Sequence, residues 1–372
     1  IHIVTLRHVS EWAKERAVQL MAGRLMRHSL RGLALVALIA SPFIFGSIVN
    51  IFYPYGFSQV YKSWPVRFLL IFISIAWILA RRRVTRVKPV REDGIASRTF
   101  QRLALGNRPF LDMSFDIERT LFKPCENSET GNEPVFVTGL ARAGTTILTR
   151  LLHEQGEMAS LTYRDLPFPL APNTWAALSA GLNRQVSRTE RGHGDGIFHD
   201  LDSAEAIEEV FWRFMEEKRY VRSGVLSPVM PEGSTIDAFH DYVGLIRRRY
   251  NGKRYLSKNN ANVLRLPALI KAFPQALIVH PFRDPLQQAQ SLRRQHALAL
   301  KLAAEDPFRR EFTRWLGHYE FGPDQRPFLF PGYPDENEDK SAINYWLRLW
   351  ICVYTALLDQ PQPVRERQIF VD

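Results

Sequence analysis

Cysteine is nearly absent: 372 residues contain only Cys125 and Cys352. Two thiols rule out a disulfide framework and a cysteine-built metal cluster, and they suit a reducing compartment. Acidic residues are also few, with 38 Asp and Glu against 49 Lys and Arg and a net charge of +11. That balance suits a polyanionic partner: nucleic acid, an anionic membrane surface or a phosphorylated cofactor. Internal repeats and low-complexity stretches are missing, which excludes solenoids and arrays. Segment 188–202 is rich in His and Asp, but His193, Asp195, His199 and Asp200 follow no tight ligand spacing, so no metal site is expected.

Leu33 to Tyr53 contains no charged residue. At 1.5 Å per residue this run can cross a hydrocarbon core of about 30 Å. A shorter apolar run, Val66 to Ala80, follows a loop that carries only Lys62. Basic residues crowd the outer flanks, at Arg24, Arg27 and Arg31 before the pair and at Arg81, Arg82, Arg83, Arg86 and Lys88 after it. The positive-inside rule then predicts a helical hairpin in the inner or plasma membrane, with both ends and all that follows in the cytoplasm. Residues 1–32 read as a basic amphipathic helix. Two buried core helices are the competing reading of 33–80.

The chemistry begins at Pro134. Pro134 to Thr138 is a short apolar, β-branched run that reads as a buried strand. Gly139 to Gly144 is a tight loop. From Thr145 the apolar residues Ile147, Leu148, Leu151 and Leu152 recur at helical spacing. Strand, Gly-bounded loop and helix make an anion cradle, because loop N–H groups and a helix N-terminus face the ligand. Nucleotide P-loops read G-x-x-x-x-G-K-[ST]. Here Thr145 stands in the lysine position and the cation, Arg142, lies inside the loop. Such a loop suits a phosphate ester that needs no metal.

Two further strand ends carry cations. Lys253 to Lys258 reads as a short strand, followed by a helix over 262–273. Ala276 to Phe282 reads as another strand, ending at Arg283, with Ser291 eight positions on. Strands alternating with helices predict a three-layer α/β domain with a parallel sheet, and such sheets bind ligands at the carboxyl ends of their strands. The cradle, Lys258 and Arg283 therefore share one crevice. Trp315, Trp346 and Trp350 read as core residues, and Glu208 and Glu209 as surface charge on a helix.

Together the two motifs resemble the sulfotransferases that use 3′-phosphoadenosine 5′-phosphosulfate (PAPS), over roughly Pro134 to the C-terminus. The resemblance implies that Arg142, Ala143, Gly144, Thr145 and Thr146 hold the 5′-phosphosulfate. It implies that Arg283 and Ser291 hold the 3′-phosphate, and that Lys258 faces the transferring sulfuryl group. PAPS is then the co-substrate, with no metal, and the acceptor is a hydroxyl or amine of a glycan, lipid or small molecule; nucleic acid is not an expected partner. In that family a carboxylate or histidine follows the cradle helix. Asp165 fills this place as the expected base, with His153 and His193 as rivals and a turn-capping role as the alternative for Asp165. Catalysis is thus expected from Asp165, Lys258 and Arg142. A small-molecule kinase and a non-catalytic membrane-anchored nucleotide-binding protein are the competing functions.

The expected organisation is a basic helix over 1–32, a membrane hairpin over 33–80, a linker with some helix over 81–130 and the α/β domain over 131–372. The chain starts at Ile1, and Gln368 to Asp372 reads as a strand cut short. The further basic, Gly-containing segment that the family places near its C-terminus is not seen, so truncation there is expected.

Overall fold

A computed structural model of the chain describes residues 95–125, 132–180, 189–190, 198–199, 206–335 and 337–372. The expected basic helix, the hairpin over 33–80 and His193 lie outside the described residues. Among the described residues, no helix is long and apolar enough to cross a membrane.

Two helices open the described chain, α1 (Ile95–Gly106) and α2 (Arg108–Leu121). Asn107 separates them. Its side chain accepts from the Phe110 N–H, and Pro109 sits in the first turn, where its missing N–H costs nothing. Leu105, Leu111 and Phe115 are buried in the main core. The helix expected within 81–130 is thus seen in both, over 95–106 and 108–121, and it packs into the main core. Their scattered polar residues hid the inward stripe.

The rest alternates strand and helix. In order come β1 (Val135–Val137), α3 (Thr145–Glu154), β2 (Met158–Ala159), a 3₁₀ turn (Tyr163–Asp165), α4 (Pro172–Ser179), β3 (Thr189–Glu190) and β4 (Phe198–His199). They are followed by α5 (Glu209–Tyr220), α6 (Gly233–Arg249), β5 (Arg254–Lys258), a 3₁₀ turn (Asn260–Leu264), α7 (Leu266–Ala272) and β6 (Leu277–Pro281). Last come α8 (Pro285–Glu305), α9 (Pro307–Trp315), α10 (Ile343–Leu358), α11 (Gln362–Arg365) and β7 (Gln368–Val371).

Five strands form one parallel sheet in the order β2-β5-β1-β6-β7, and β3 and β4 pair antiparallel. Side chains alternate across a strand. Val135, Val137, Leu256 and Val279 form a cluster on one face, covered by Leu148 and Leu152 of α3. Phe136, Tyr255 and Ile278 join the main core, with Phe239 and Tyr242 of α6. Both faces are covered, as an all-parallel sheet requires, and the three layers expected from the sequence result. Phe136 is fully buried against Phe239, Tyr255 and Phe273. Truncating such a ring costs about 3–5 kcal/mol.

Connectivity positions the site. From β1 the chain passes through α3 to β2 at one edge, whereas from β6 it passes through α8 toward β7 at the other. Right-handed crossovers in opposite directions put the two helices on opposite faces. Leu148 of α3 packs in one cluster, Ala289 and Leu292 of α8 in the other. The order of connection thus reverses between β1 and β6, and a crevice opens at their carboxyl ends.

Candidate active site

The cradle fills that crevice. Gly139 has φ 144°, Arg142 φ 67° and Gly144 φ 96°. Glycine takes such values freely, but a non-glycine residue in the left-handed region carries roughly 1–2 kcal/mol of strain. Arg142 is held there by tertiary contact: its Nε donates to Ser291 Oγ at 3.1 Å, across 149 residues of sequence. Gly144 is the N-cap of α3 and supplies no side-chain cap. A Cβ built on Gly144 would meet nothing within 4 Å. Open space above an uncapped helix N-terminus fits an anion. Thr145 is buried and Thr146 half-buried at the start of the helix.

Two residues that sequence reasoning missed brace the loop from behind. Gln288 of α8 is fully buried, and its Nε2 donates to the carbonyls of Ala141 at 2.9 Å and Leu140 at 3.3 Å. Trp350 Nε1 completes it by donating to Gln288 Oε1 at 3.0 Å. Trp350 is thus more than core filling. His280, at the end of β6, has Nδ1 3.0 Å from the carbonyl of Thr138, and its Nε2 lies 2.9 Å from Gln368 Nε2. The set fits one neutral tautomer, Nδ1–H donating and Nε2 accepting. Burial pushes this imidazole down to about 4. His280 thereby ties the end of β1 to β6 and to the first residue of β7.

The other cations expected at the site stand at neighbouring strand ends. Lys258 ends β5, opposite Val137 in register, and is 8% exposed. Arg283 follows β6 by two residues and is exposed, with its Nη2 donating to Gln287 Oε1 at 3.0 Å. Asp284 caps α8 by accepting from the Gln287 N–H. Lys258, the cradle and Arg283 thus follow β5, β1 and β6, three adjacent strands. Arg142 and Ser291 touch.

Asp165 is placed differently from the expectation. Its side chain is 1% exposed. Oδ2 accepts from the Thr162 N–H at 2.9 Å and from Tyr250 OH at 2.5 Å, and Arg249 Nε lies 3.7 Å from Oδ1. Thr162 in turn accepts from the Arg164 N–H, closing a capping box on the 3₁₀ turn. Burial pushes the carboxyl above its ordinary range, against the opposing pull of Tyr250 and Thr162. The structure thus shows the turn-capping role set against the base for Asp165, with the carboxylate buried on Thr162 and Tyr250. The pattern Thr162-x-x-Asp165 was readable as a capping box. His153 lies half-buried in the last turn of α3.

Glu208 and Glu209 are also corrected: both are buried rather than surface charges. Glu208 accepts from Trp212 Nε1, Tyr255 OH, Asn259 Nδ2 and Asn262 Nδ2. Glu209 accepts two bonds from Arg265, at 2.6 and 3.0 Å, and one from Asn259. Asn259 follows Lys258 directly, so the acid pair anchors the turn that carries the lysine.

A model of the sulfotransferase family matches residues 134–326. No curated protein sequence matches the chain. Among solved structures, sulfotransferase STF1 from Mycobacterium tuberculosis H37Rv is similar at 15% identity, over 75% of this chain and 71% of that one, with a TM-score of 0.39. Sulfotransferase STF9 from Mycobacterium avium is similar at 15% identity, over 71% of this chain and 76% of that one, with a TM-score of 0.33.

Proposed function

The chain belongs to the sulfotransferase family, and from that premise we propose that it moves a sulfuryl group from PAPS to a hydroxyl or amine of an acceptor. The observation that carries the donor assignment is the bond from Arg142 to Ser291. It joins the cradle to the strand-end motif, so one ligand with phosphate groups at two ends can meet both. In this reading the loop from Gly139 to Gly144, with Thr145 and Thr146, holds the 5′-phosphosulfate. Arg283 and Ser291 hold the 3′-phosphate. Thr145 in place of the P-loop lysine leaves Lys258 and Arg142 to supply charge, and the proposal uses no metal.

Sulfuryl transfer puts a neutral SO₃-like group in flight, and negative charge gathers on the departing phosphate. Fixed donors aimed at that charge supply the main electrostatic stabilisation. Lys258 is held by β5 and by the anchored turn after it. Arg142 is held in its left-handed conformation by Ser291. Neither needs large reorganisation when the donor arrives.

We place the enzyme at a membrane, as a bacterial-type protein with its catalytic domain in the cytoplasm. The support is the charge pattern around 33–80, and it makes a lipid or glycan acceptor as well as a small molecule open to it. Protease protection in sealed vesicles tests this, and a domain shielded on the outer side would sink it.

The test of the donor assignment is a melt of the full chain with adenosine 3′,5′-bisphosphate and, separately, with ATP and Mg²⁺. Saturation at a hundredfold over Kd should stabilise by about 2.7 kcal/mol with the bisphosphate. A protein that responds only to ATP with Mg²⁺ is a kinase, and the reading falls.

A further inference from the structure

One buried amide sits on α8 where the helix is otherwise apolar. Gln288 lies beside Ala289 and one turn before Leu292, both core residues, and is itself fully buried. Burying an amide is costly unless its polar atoms find partners. Here they do. Nε2 carries two hydrogens and meets two carbonyls, those of Leu140 and Ala141, while Oε1 accepts from Trp350 Nε1. An indole nitrogen can only donate, so the amide has one orientation, with its nitrogen toward the cradle loop. The reverse would set an oxygen against two carbonyls.

The carbonyls that Gln288 holds also decide what the loop presents on its other side. In a trans peptide the N–H points away from the C=O. With the Leu140 and Ala141 carbonyls drawn back onto α8, the N–H groups of the same two peptides, on Ala141 and Arg142, point away from α8. Among the described residues no carbonyl accepts from the Ala141 N–H. The same stretch of α10 supports the second motif. Tyr354 lies one turn after Trp350, with the two rings 4.5 Å apart, and its hydroxyl donates to the carbonyl of Pro281 at 3.0 Å. Pro281 ends β6, two residues before Arg283.

We propose that Gln288 is a positioning residue of the donor site. It turns the cradle peptides so that their N–H groups, and not their carbonyls, face the 5′-phosphate, and Trp350 sets which end of the amide does so. The inference rests on the PAPS reading above. Gln288 touches no phosphate and acts through the loop. A carbonyl turned to the front would set its negative end against an anion, whereas N–H groups fixed in advance need no rearrangement when charge arrives. Arg142 depends on the same brace. It follows directly on the Ala141 carbonyl that Gln288 holds, and its own Nε is held by Ser291. Its left-handed backbone is thus clamped from both sides.

Gln288→Met keeps the length of the side chain and removes both donor hydrogens. Calorimetry on the full chain should show adenosine 3′,5′-bisphosphate binding this variant about tenfold more weakly, the worth of roughly one hydrogen bond. Adenosine 3′-phosphate, which has nothing to place in the cradle, should bind it as it binds wild type. A role in folding alone would lower the melting temperature and treat the two ligands alike, so equal losses, or none, overturn the proposal. Trp350→Phe keeps a ring on α10 and leaves the amide free to turn. It should weaken the bisphosphate by less, with the same discrimination between ligands. If Gln288→Met does not fold, Trp350→Phe decides, and bisphosphate affinity equal to wild type overturns the role. Wild type that binds ATP with Mg²⁺ but not the bisphosphate removes the donor reading. The variants are then compared on ATP against adenosine, and an equal response to both overturns Gln288 as well. Wild type that binds neither nucleotide overturns both.

Discussion

The acid pair at the start of α5 and the basic cluster at the strand ends are both groups of like charge, and the protein treats them in opposite ways. Glu208 and Glu209 are buried and surrounded by donors from Trp212, Tyr255, Asn259, Asn262 and Arg265. Arg283 stays exposed, the helix behind the cradle lacks a side-chain cap, and space above Gly144 is open. Where the chain answers its own polar groups, they hold the fold. The strand-end cations have partners too, Arg283 on Gln287 Oε1 and Arg142 on Ser291 Oγ, but Arg283 keeps a face to solvent. Asp165, buried on Thr162 and Tyr250, resembles the acid pair in this respect.

The largest effect should come from opening the closed side. Glu209→Ala leaves Arg265 fully buried without its carboxylate, and removing one member of a buried pair costs about 3–5 kcal/mol. Urea unfolding would read it. A loss below 1 kcal/mol would mean that the network is not what holds the turn under Lys258.

His280 should follow, because its imidazole is held at about 4 by burial, against 6.5 unfolded. A lowered histidine leaves the unfolded state binding more protons, so stability is full above 6.5 and is lost as pH falls toward 4. A shift of this size corresponds to about 3 kcal/mol at 1.36 kcal/mol per unit. Unfolding at pH 7 and pH 4 measures the sum over all groups, and the same pair of measurements on His280→Gln isolates this one. An unchanged pH difference in that variant would refute the assignment.

The open side should respond in affinity rather than stability. Arg283→Ala should weaken adenosine 3′,5′-bisphosphate by about 1.5–3 kcal/mol, the range for hydrogen bonds to charged groups. Adenosine 5′-phosphosulfate, which lacks the 3′-phosphate, should lose little. Calorimetry with both ligands separates the cases, since equal losses would make Arg283 structural.

The smallest effect tests the boundary between the two sides. Asp165→Asn disturbs a cap and should cost about 0.5–2 kcal/mol of stability. The folded carboxyl is raised, so the advantage of Asp over Asn should shrink as pH climbs above its ordinary 3.8. Thermal melts across that range measure it. Unchanged melting with turnover lost would return Asp165 to the chemistry.

Much of the fold was legible because local patterns carried it. The change from β-branched run to helical spacing at Thr145 marks the cradle, and the cations at 258 and 283 sit where strands end. Tertiary residues were not legible in the same way. Gln288 matters through two carbonyls 147 and 148 residues away, and Trp350 through Gln288, 62 residues away. No spacing within either segment signals such contacts. Adjacent glutamates at a helix start look solvated, and only the fold brings Arg265 beneath them. Asp165 was readable both ways: Thr162-x-x-Asp165 is a visible capping pattern, and the place after the cradle helix suggested a base.

Arg142 carries a consequence for anyone who improves this protein by selection. Its backbone sits where glycine is at ease, so Arg142→Gly should relieve local strain even as it removes the guanidinium from the crevice. A screen scored on heat resistance would reward that change, and, in the role proposed above for Arg142, a screen scored on turnover would discard it. The residue is thus a point where durability and chemistry pull in opposite directions.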